Sequence, residues 1–202
     1  MYPEIFIPPE LVKPAEPSEA PAAAERRRRR CEQKQKRGKR AGINARLAAN
    51  PFKSPLPTLF LSNVNSIRNK MDEIRLLLTT KKSKLADCCC MIFTESKLDS
   101  STPDAAITLA GHTAYRADRT AASGKKTGGG LCVFVHNSWC TDTTIVTKHC
   151  CPDIEFMVLK CRPFFLPREY TVVYICAVYI APDANSKLAL ALLQNSIQTV
   201  FV

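Results

Sequence analysis

The sequence has 202 residues, of which 46% are hydrophobic, and a formal net charge of +11, which is enough chain for one folded domain and a tail. No run approaches the roughly 20 apolar residues of a membrane span, and the Pro-rich first 25 residues do not resemble a signal peptide, so we expect no secretion and no membrane partner. Ten cysteines occur without a Cys-x-x-Cys pair, which favours small buried hydrophobic side chains over zinc ligands or disulfides.

The positive charge is concentrated near the start of the chain. Residues 1–25 are rich in Pro, Ala and Glu, which predicts disorder. Residues 26–46 carry eleven Lys or Arg against one Glu, which predicts binding to nucleic acid, DNA first and RNA second, without sequence preference. The alternatives are a nuclear localisation signal and a solvated linker without a partner. We expect a nuclear or cytoplasmic protein. The predicted nucleic-acid-binding residues of this basic arm are Arg26, Arg27, Arg28, Arg29, Arg30, Lys34, Lys36, Arg37, Lys39 and Arg40.

Three segments follow from this pattern: a disordered segment at 1–25, a basic arm and linker at 26–57, and a folded domain at 58–202. From Thr58 onward, apolar runs predict a buried strand at Leu59–Leu61, a helix at about 67–78, and strands at 88–94, 112–116, 131–136, 143–148, 154–162 and 170–180. The last of these strands is the most apolar, and we expect it to be the most buried. Leu190, Leu193, Ile197 and Val200 predict the buried face of a final helix. This order indicates an α/β fold with layers of helix, sheet, sheet and helix.

Polar residues stand at the ends of three of the predicted apolar strands. They are Asn63, Glu95 and Tyr179. A carboxylate at a strand end suits Mg²⁺, an amide can orient it, and a phenol can donate to a phosphoryl oxygen. Each also has an ordinary interpretation, as a turn residue, a capping acid or a core tyrosine, because spacing alone does not bring the three together.

Four segments in this order resemble the endonuclease domain of non-LTR (LINE-type) retrotransposons, which belongs to the exonuclease–endonuclease–phosphatase superfamily. The segments are Ser62–Glu73, Phe93–Leu98, Tyr115–Arg119 with the downstream Gly128–Gly130, and Val178–Pro182. The basic arm resembles the same elements, and the resemblance covers roughly residues 26–202. It implies a two-sheet α/β sandwich that hydrolyses a DNA phosphodiester with Mg²⁺ and without a small-molecule cofactor.

The resemblance also implies roles for individual residues. Glu95 corresponds to the Mg²⁺-binding glutamate, and Asn63 and Tyr179 correspond to active-site residues. Arg116 and Arg119 lie in a polar loop, and we assign them to DNA approach or to domain structure. The Gly-Asp-Phe/Leu-Asn and Ser/Thr-Asp-His segments of the family are missing, and His112, His136 and His149 match no catalytic position. We therefore expect an incomplete sandwich with negligible nuclease activity; the alternative is a non-catalytic nucleic-acid-binding protein that acts through residues 26–46.

Overall fold

The structure is a computed structural model that describes residues 49–80, 83–124 and 128–201. These residues form a mixed α/β fold with two β-sheets and two α-helices, so the predicted α/β class with two sheets is confirmed. The predictions for the disordered segment and the basic arm fall on residues 1–48, outside the described residues. The elements are β1 (Leu59–Asn63), α1 (Met71–Thr79), β2 (Cys90–Thr94), β3 (His112–Ala117), β4 (Leu131–His136), β5 (Asp142–Cys150), β6 (Ile154–Arg162), β7 (Val173–Ile180) and α2 (Ser186–Phe201).

The first sheet has the strand order β1-β2-β4-β3, with β2 parallel to β1 and antiparallel to β4. The central strands β2 and β4 are buried along nearly their whole length, as their continuous apolar runs predict. The prediction of a buried first strand is wrong, because Leu59 and Leu61 are 55% and 67% exposed. β1 is an edge strand, and the face that these leucines share with Cys90 and Ile92 is open to solvent at that edge.

The second sheet is antiparallel and has the order β5-β6-β7. Its central strand, β6, is buried over most of its length. The prediction that the strand at 170–180 is the most buried is wrong. Only Ile175 and Ala177 of β7 are buried, because an edge strand has a neighbouring strand on one side only.

The two sheets face each other across an apolar core, and a helix covers the outer face of each sheet. Side chains between the sheets come from β2, β4, β6 and β7, with Trp139 beside them. On the outer face of the first sheet, Ile67, Met71 and Ile74 pack against Phe93 and neighbouring residues, as the helical pattern predicted. The core also contains six of the nine described cysteines in buried positions, which agrees with their interpretation as small hydrophobic side chains.

Helix α2 packs on the outer face of the second sheet, but its contact face differs from the predicted one. Ala189 is buried, and Leu192, Leu193 and Val200 pack beside it, whereas Leu190 and Ile197 are exposed. Two of the four predicted contact residues, Leu193 and Val200, therefore pack on the sheet, so the pattern located the helix and half of its contact face. None of the described helices is long and apolar enough to span a membrane.

The Pro-rich segment before β1 is packed against the domain. Trp139 Nε1 donates to the Ser54 carbonyl oxygen at 3.1 Å, and Phe52 stacks on His136 with ring centroids 3.8 Å apart. The backbone N–H of Cys89 donates to Thr58 Oγ1 at 3.0 Å. These contacts attach the segment to the end of the first sheet at which β4 finishes.

Candidate functional site

Asn63, Glu95 and Tyr179 meet at one end of the domain. β1 and β2 are parallel, so Asn63 at the end of β1 and Glu95 just after β2 lie at the same sheet edge, where ligands collect in α/β proteins. Asn63 Nδ2 donates to Glu95 Oε1 at 2.8 Å, and the Tyr179 hydroxyl donates to the same oxygen at 2.8 Å. The three side chains therefore share one site, as the family resemblance implies, while their catalytic and metal-binding roles stay predictions.

Two loops that are hydrogen-bonded to each other hold Asn63 and Glu95. Ser66 N donates to the Glu95 carbonyl at 2.8 Å, and Ile67 N donates to the Ser96 carbonyl at 3.0 Å. Within the described residues, every non-glycine residue with a positive φ lies in these two loops: Asn65, Ser66, Glu95 and Lys97. Such conformations cost on the order of 1–3 kcal/mol each and persist where surrounding contacts impose them, often at functional sites.

The hydrogen bonds set the charge state of the site. The bond from Asn63, and next the bond from Tyr179, hold the pKa of Glu95 below its ordinary value, with further help from the positive charges of Lys97 and Arg119. Burial, together with the bond to the Glu95 carboxylate, raises the pKa of Tyr179 to about 12. At neutral pH, Glu95 is therefore an ionised acceptor and Tyr179 is a neutral donor.

One oxygen of the Glu95 carboxylate remains available for a ligand. Oε1 accepts both hydrogen bonds, and no donor from the described residues reaches Oε2. Within the same residues, no group of three or more His, Cys, Asp or Glu side chains is arranged to enclose a metal ion. Mg²⁺ commonly binds through one or two carboxylates and completes its shell with water and phosphate oxygens. The donor set at Glu95 therefore fits Mg²⁺ bound together with a phosphate.

A buried ion pair lies directly behind Tyr179. Glu155 of β6 is the cross-strand partner of Tyr179, and Arg119 Nε donates to Glu155 Oε1. The Arg119 and Glu155 side chains are only 12% and 5% exposed. Sequence reasoning missed Glu155, although a single acid within the apolar run Ile154–Leu159 was an available signal, because a charge is rarely buried without a partner.

The triple glycine connects this ion pair to the loop that carries Glu95. Gly130 N donates to Glu155 Oε2 at 2.6 Å, while Ser96 N and Lys97 N donate to the Gly130 and Gly129 carbonyls at 3.1 and 3.0 Å. Gly129 has a φ of +67°, and a Cβ at this position would lie 2.1 Å from Arg119 Nη2. Position 129 therefore has to be glycine so that the Arg119 guanidinium can lie against its backbone.

Arg116 is enclosed by protein acceptors. Its Nε and Nη2 donate to the two oxygens of Asp118, Nη1 donates to the Asp104 carboxylate, and the remaining N–H groups donate to the Asp99 and Thr102 carbonyls. All five donors of the guanidinium are used. Of the two roles considered for Arg116 and Arg119, these contacts and the burial of Arg119 favour domain structure over DNA approach.

The three histidines lie elsewhere. His136 stacks on Phe52 and contacts His112 edge-on, and His149 stacks on Phe156 with centroids 5.1 Å apart. Burial lowers the pKa of His136 to about 4, so it is neutral at pH 7. Among the described residues, none of the hydrogen bonds to Glu95 comes from a histidine.

The ten predicted nucleic-acid-binding residues of the basic arm, between Arg26 and Arg40, lie outside the described residues. Neither a protein-family model nor a curated protein matches this chain. Asn63, Glu95 and Tyr179 therefore define the candidate site through their geometry, with Arg119, Glu155 and the glycine segment as its support.

Proposed function

We propose that this chain carries the metal- and phosphate-binding groups of a Mg²⁺-dependent DNA endonuclease similar to that of non-LTR retrotransposons. One observation carries the proposal: Asn63 and Tyr179 hold an ionised strand-end carboxylate by one oxygen, and no donor from the described part of the chain reaches its second oxygen. The helix–sheet–sheet–helix layering is compatible with an exonuclease–endonuclease–phosphatase sandwich. The basic arm at 26–46 supports a polyanionic substrate.

Each residue has a distinct role in this proposal. Glu95 would hold Mg²⁺ through Oε2, and the bound metal supplies neutralisation of phosphate charge and stabilisation of the leaving oxygen. Asn63 and Tyr179 fix the rotamer of Glu95, and the exposed Asn63 amide lies where a phosphate could approach. Lys97, which is exposed beside Glu95, adds a positive charge that attracts the DNA backbone.

Activation of the attacking water is the weak part of this site. General base catalysis is worth about 10²- to 10⁴-fold in rate, and none of the three histidines is hydrogen-bonded to Glu95, Asn63 or Tyr179 among the described residues. We therefore propose that the 202-residue chain binds Mg²⁺ and DNA but has negligible nicking activity.

Divalent metal binding tests the site directly. With Mn²⁺ as a paramagnetic probe for the Mg²⁺ position, we expect selective broadening of the Thr94 and Ser96 amide signals. Glu95→Gln should weaken binding about tenfold or more, because it removes the anionic ligand. Glu73→Gln is the matched control, since Glu73 is an exposed carboxylate on α1 that pairs with Lys70. Equal Mn²⁺ affinity of the unaltered chain and Glu95→Gln would overturn the proposal.

Plasmid nicking tests the prediction of low activity separately. Purified 1–202 should leave supercoiled DNA almost uncut in Mg²⁺. If the chain nicks the plasmid efficiently and Glu95→Ala abolishes this activity, the prediction of negligible activity is wrong. The proposed endonuclease site is then supported.

A second candidate is a non-catalytic nucleic-acid-binding protein that acts through residues 26–46. The concentration of eleven Lys or Arg in that segment favours it. It predicts DNA binding that falls steeply with salt, is lost when the arm is neutralised, and is unchanged by Glu95→Ala.

A further inference from the structure

The strongly exposed aromatic rings of the described residues are clustered in one loop. Phe164, Phe165 and Tyr170 are 57%, 43% and 67% exposed, and they fall within seven consecutive positions between β6 and β7. The other aromatic side chains whose burial is described are buried or half-buried. Exposed apolar clusters of this kind mark binding surfaces, whereas single exposed leucines are ordinary.

The loop is fixed to the core although its rings face solvent. Pro163 is buried, and Phe164 N donates to the carbonyl of the fully buried Trp139 at 3.2 Å. Tyr170 N donates to the Pro167 carbonyl at 3.0 Å. These two bonds restrain the backbone at both ends of the segment that carries the exposed rings.

Positive charge accompanies the rings. Lys53 Nζ lies 5.8 Å from the Phe165 ring centroid. Arg162, just before the rings in the sequence, and Arg168, between Phe165 and Tyr170, are both exposed. Of the two neighbouring acids, Asp142 pairs with Arg162 at 3.6 Å, and Glu169 is exposed. The last basic residue of the arm, Arg46, is seven positions before Lys53 in the sequence.

We propose that Lys53, Phe164, Phe165 and Tyr170 form a surface that binds single-stranded nucleic acid. Aromatic rings beside cations accept stacked bases and the adjacent phosphates, and such stacking is tolerant of sequence. Bases within a duplex have their faces covered, so the surface prefers a single strand.

This surface is separate from the Glu95 site. Glu155 lies opposite Tyr179, and Arg162, just before the aromatic loop, is seven positions further along β6. At about 3.4 Å per residue, the separation is about 24 Å. A single-stranded nucleic acid bound by the aromatic rings would therefore lie at the far end of the domain from Glu95, and this proposal does not depend on nuclease activity.

Fluorescence anisotropy with the full chain tests the proposal, using a labelled oligothymidylate and a duplex of equal length. Replacing Phe164, Phe165 and Tyr170 together with Ser should lower single-strand affinity about tenfold or more, since each stacked base contributes about fivefold or more. Duplex affinity and the dependence of binding on salt should remain those of the unaltered chain. The matched control is Leu76→Ser with Leu190→Ser, which removes exposed apolar side chains elsewhere.

Other outcomes separate this surface from the arm and from different partners. Replacing Arg26 to Arg30 with Gln should reduce the salt dependence for both ligands. Unchanged single-strand affinity of the triple variant, or equal losses for single strand and duplex, would overturn the proposal. A loss of self-association in sedimentation with unchanged oligonucleotide binding would also overturn it and identify a contact between copies.

Photocrosslinking covers the case in which the triple variant fails to fold. A bromouracil-containing single strand should crosslink to residues 163–170 of the unaltered chain. Crosslinks confined to residues 26–46 would count against the surface.

Discussion

Two polar clusters, one around Arg116 and one around Glu95, lie near the same end of the first sheet. They differ in how many of their hydrogen-bonding groups have a partner within the protein. Arg116 of β3 and Phe93 of β2 both pair with Cys132 of β4, so the Arg116 cluster is nearly level with Glu95. The Arg116 guanidinium uses all its donors on the protein, whereas Glu95 keeps one oxygen open among the described residues. A cluster whose hydrogen-bonding groups are all paired within the protein stabilises the fold, whereas a cluster with an unpaired acceptor can bind a ligand.

The largest effect on stability should come from replacing Arg116, whose guanidinium donors all bond to the protein. Arg116→Met leaves the Asp118 carboxylate and the Asp99 and Thr102 carbonyls without their donor, and we expect a loss of roughly 2–4 kcal/mol in the free energy of unfolding. Chemical denaturation measures this loss. Lys70→Met is the control, because the Lys70–Glu73 pair is exposed and should contribute less than about 1 kcal/mol. Similar losses in both variants would remove the contrast between saturated and surface charges.

A smaller effect is expected in the glycine segment that supports Glu95. Gly129→Ala introduces a Cβ 2.1 Å from the Arg119 guanidinium at a positive φ, and it should lower the free energy of unfolding by about 2 kcal/mol or more. Gly124→Ala has a similar φ of +65°, but its nearest neighbour would be Pro152 Cγ at 4.0 Å. Gly124→Ala should therefore lower the free energy of unfolding only through backbone strain, by about 1 kcal/mol. Equal costs would show that Arg119 does not lie against the segment.

The smallest effect on stability should come from replacing Glu95, whose cluster has an unpaired carboxylate oxygen among the described residues. Glu95→Gln should change the free energy of unfolding by less than about 1 kcal/mol at pH 7, because the site is partly exposed and screened. The lowered pKa of Glu95 means that the carboxylate contributes stability above its unfolded pKa of about 4.3 and loses it as the pH falls through the lower folded pKa. The stability difference between the two chains, measured without divalent metal, should thus be constant above about pH 5 and shrink below about pH 4.3. A difference that grows as the pH falls would contradict the hydrogen bonds from Asn63 and Tyr179.

The elements themselves were predictable because hydrophobic periodicity reports burial locally. The strands at Leu131–His136 and Ile154–Arg162 have the predicted limits. Ile67, just before α1, and Met71 and Ile74 on α1 are buried as expected. Errors occurred where burial depends on a neighbour. β1 begins with three apolar residues and β7 is apolar throughout, yet each lies at a sheet edge.

The residues of the candidate site also divide into those that the sequence could indicate and those that only the tertiary structure reveals. A strand-end Asn, Glu and Tyr could be selected from the sequence, because polar residues that end apolar runs are visible without coordinates. The pairing of Arg119 with Glu155 could not be selected, since 36 residues separate them and only the stacking of one sheet on the other brings them together. Their burial behind Tyr179, and the need for glycine at Gly129, depend on distances that no local pattern encodes.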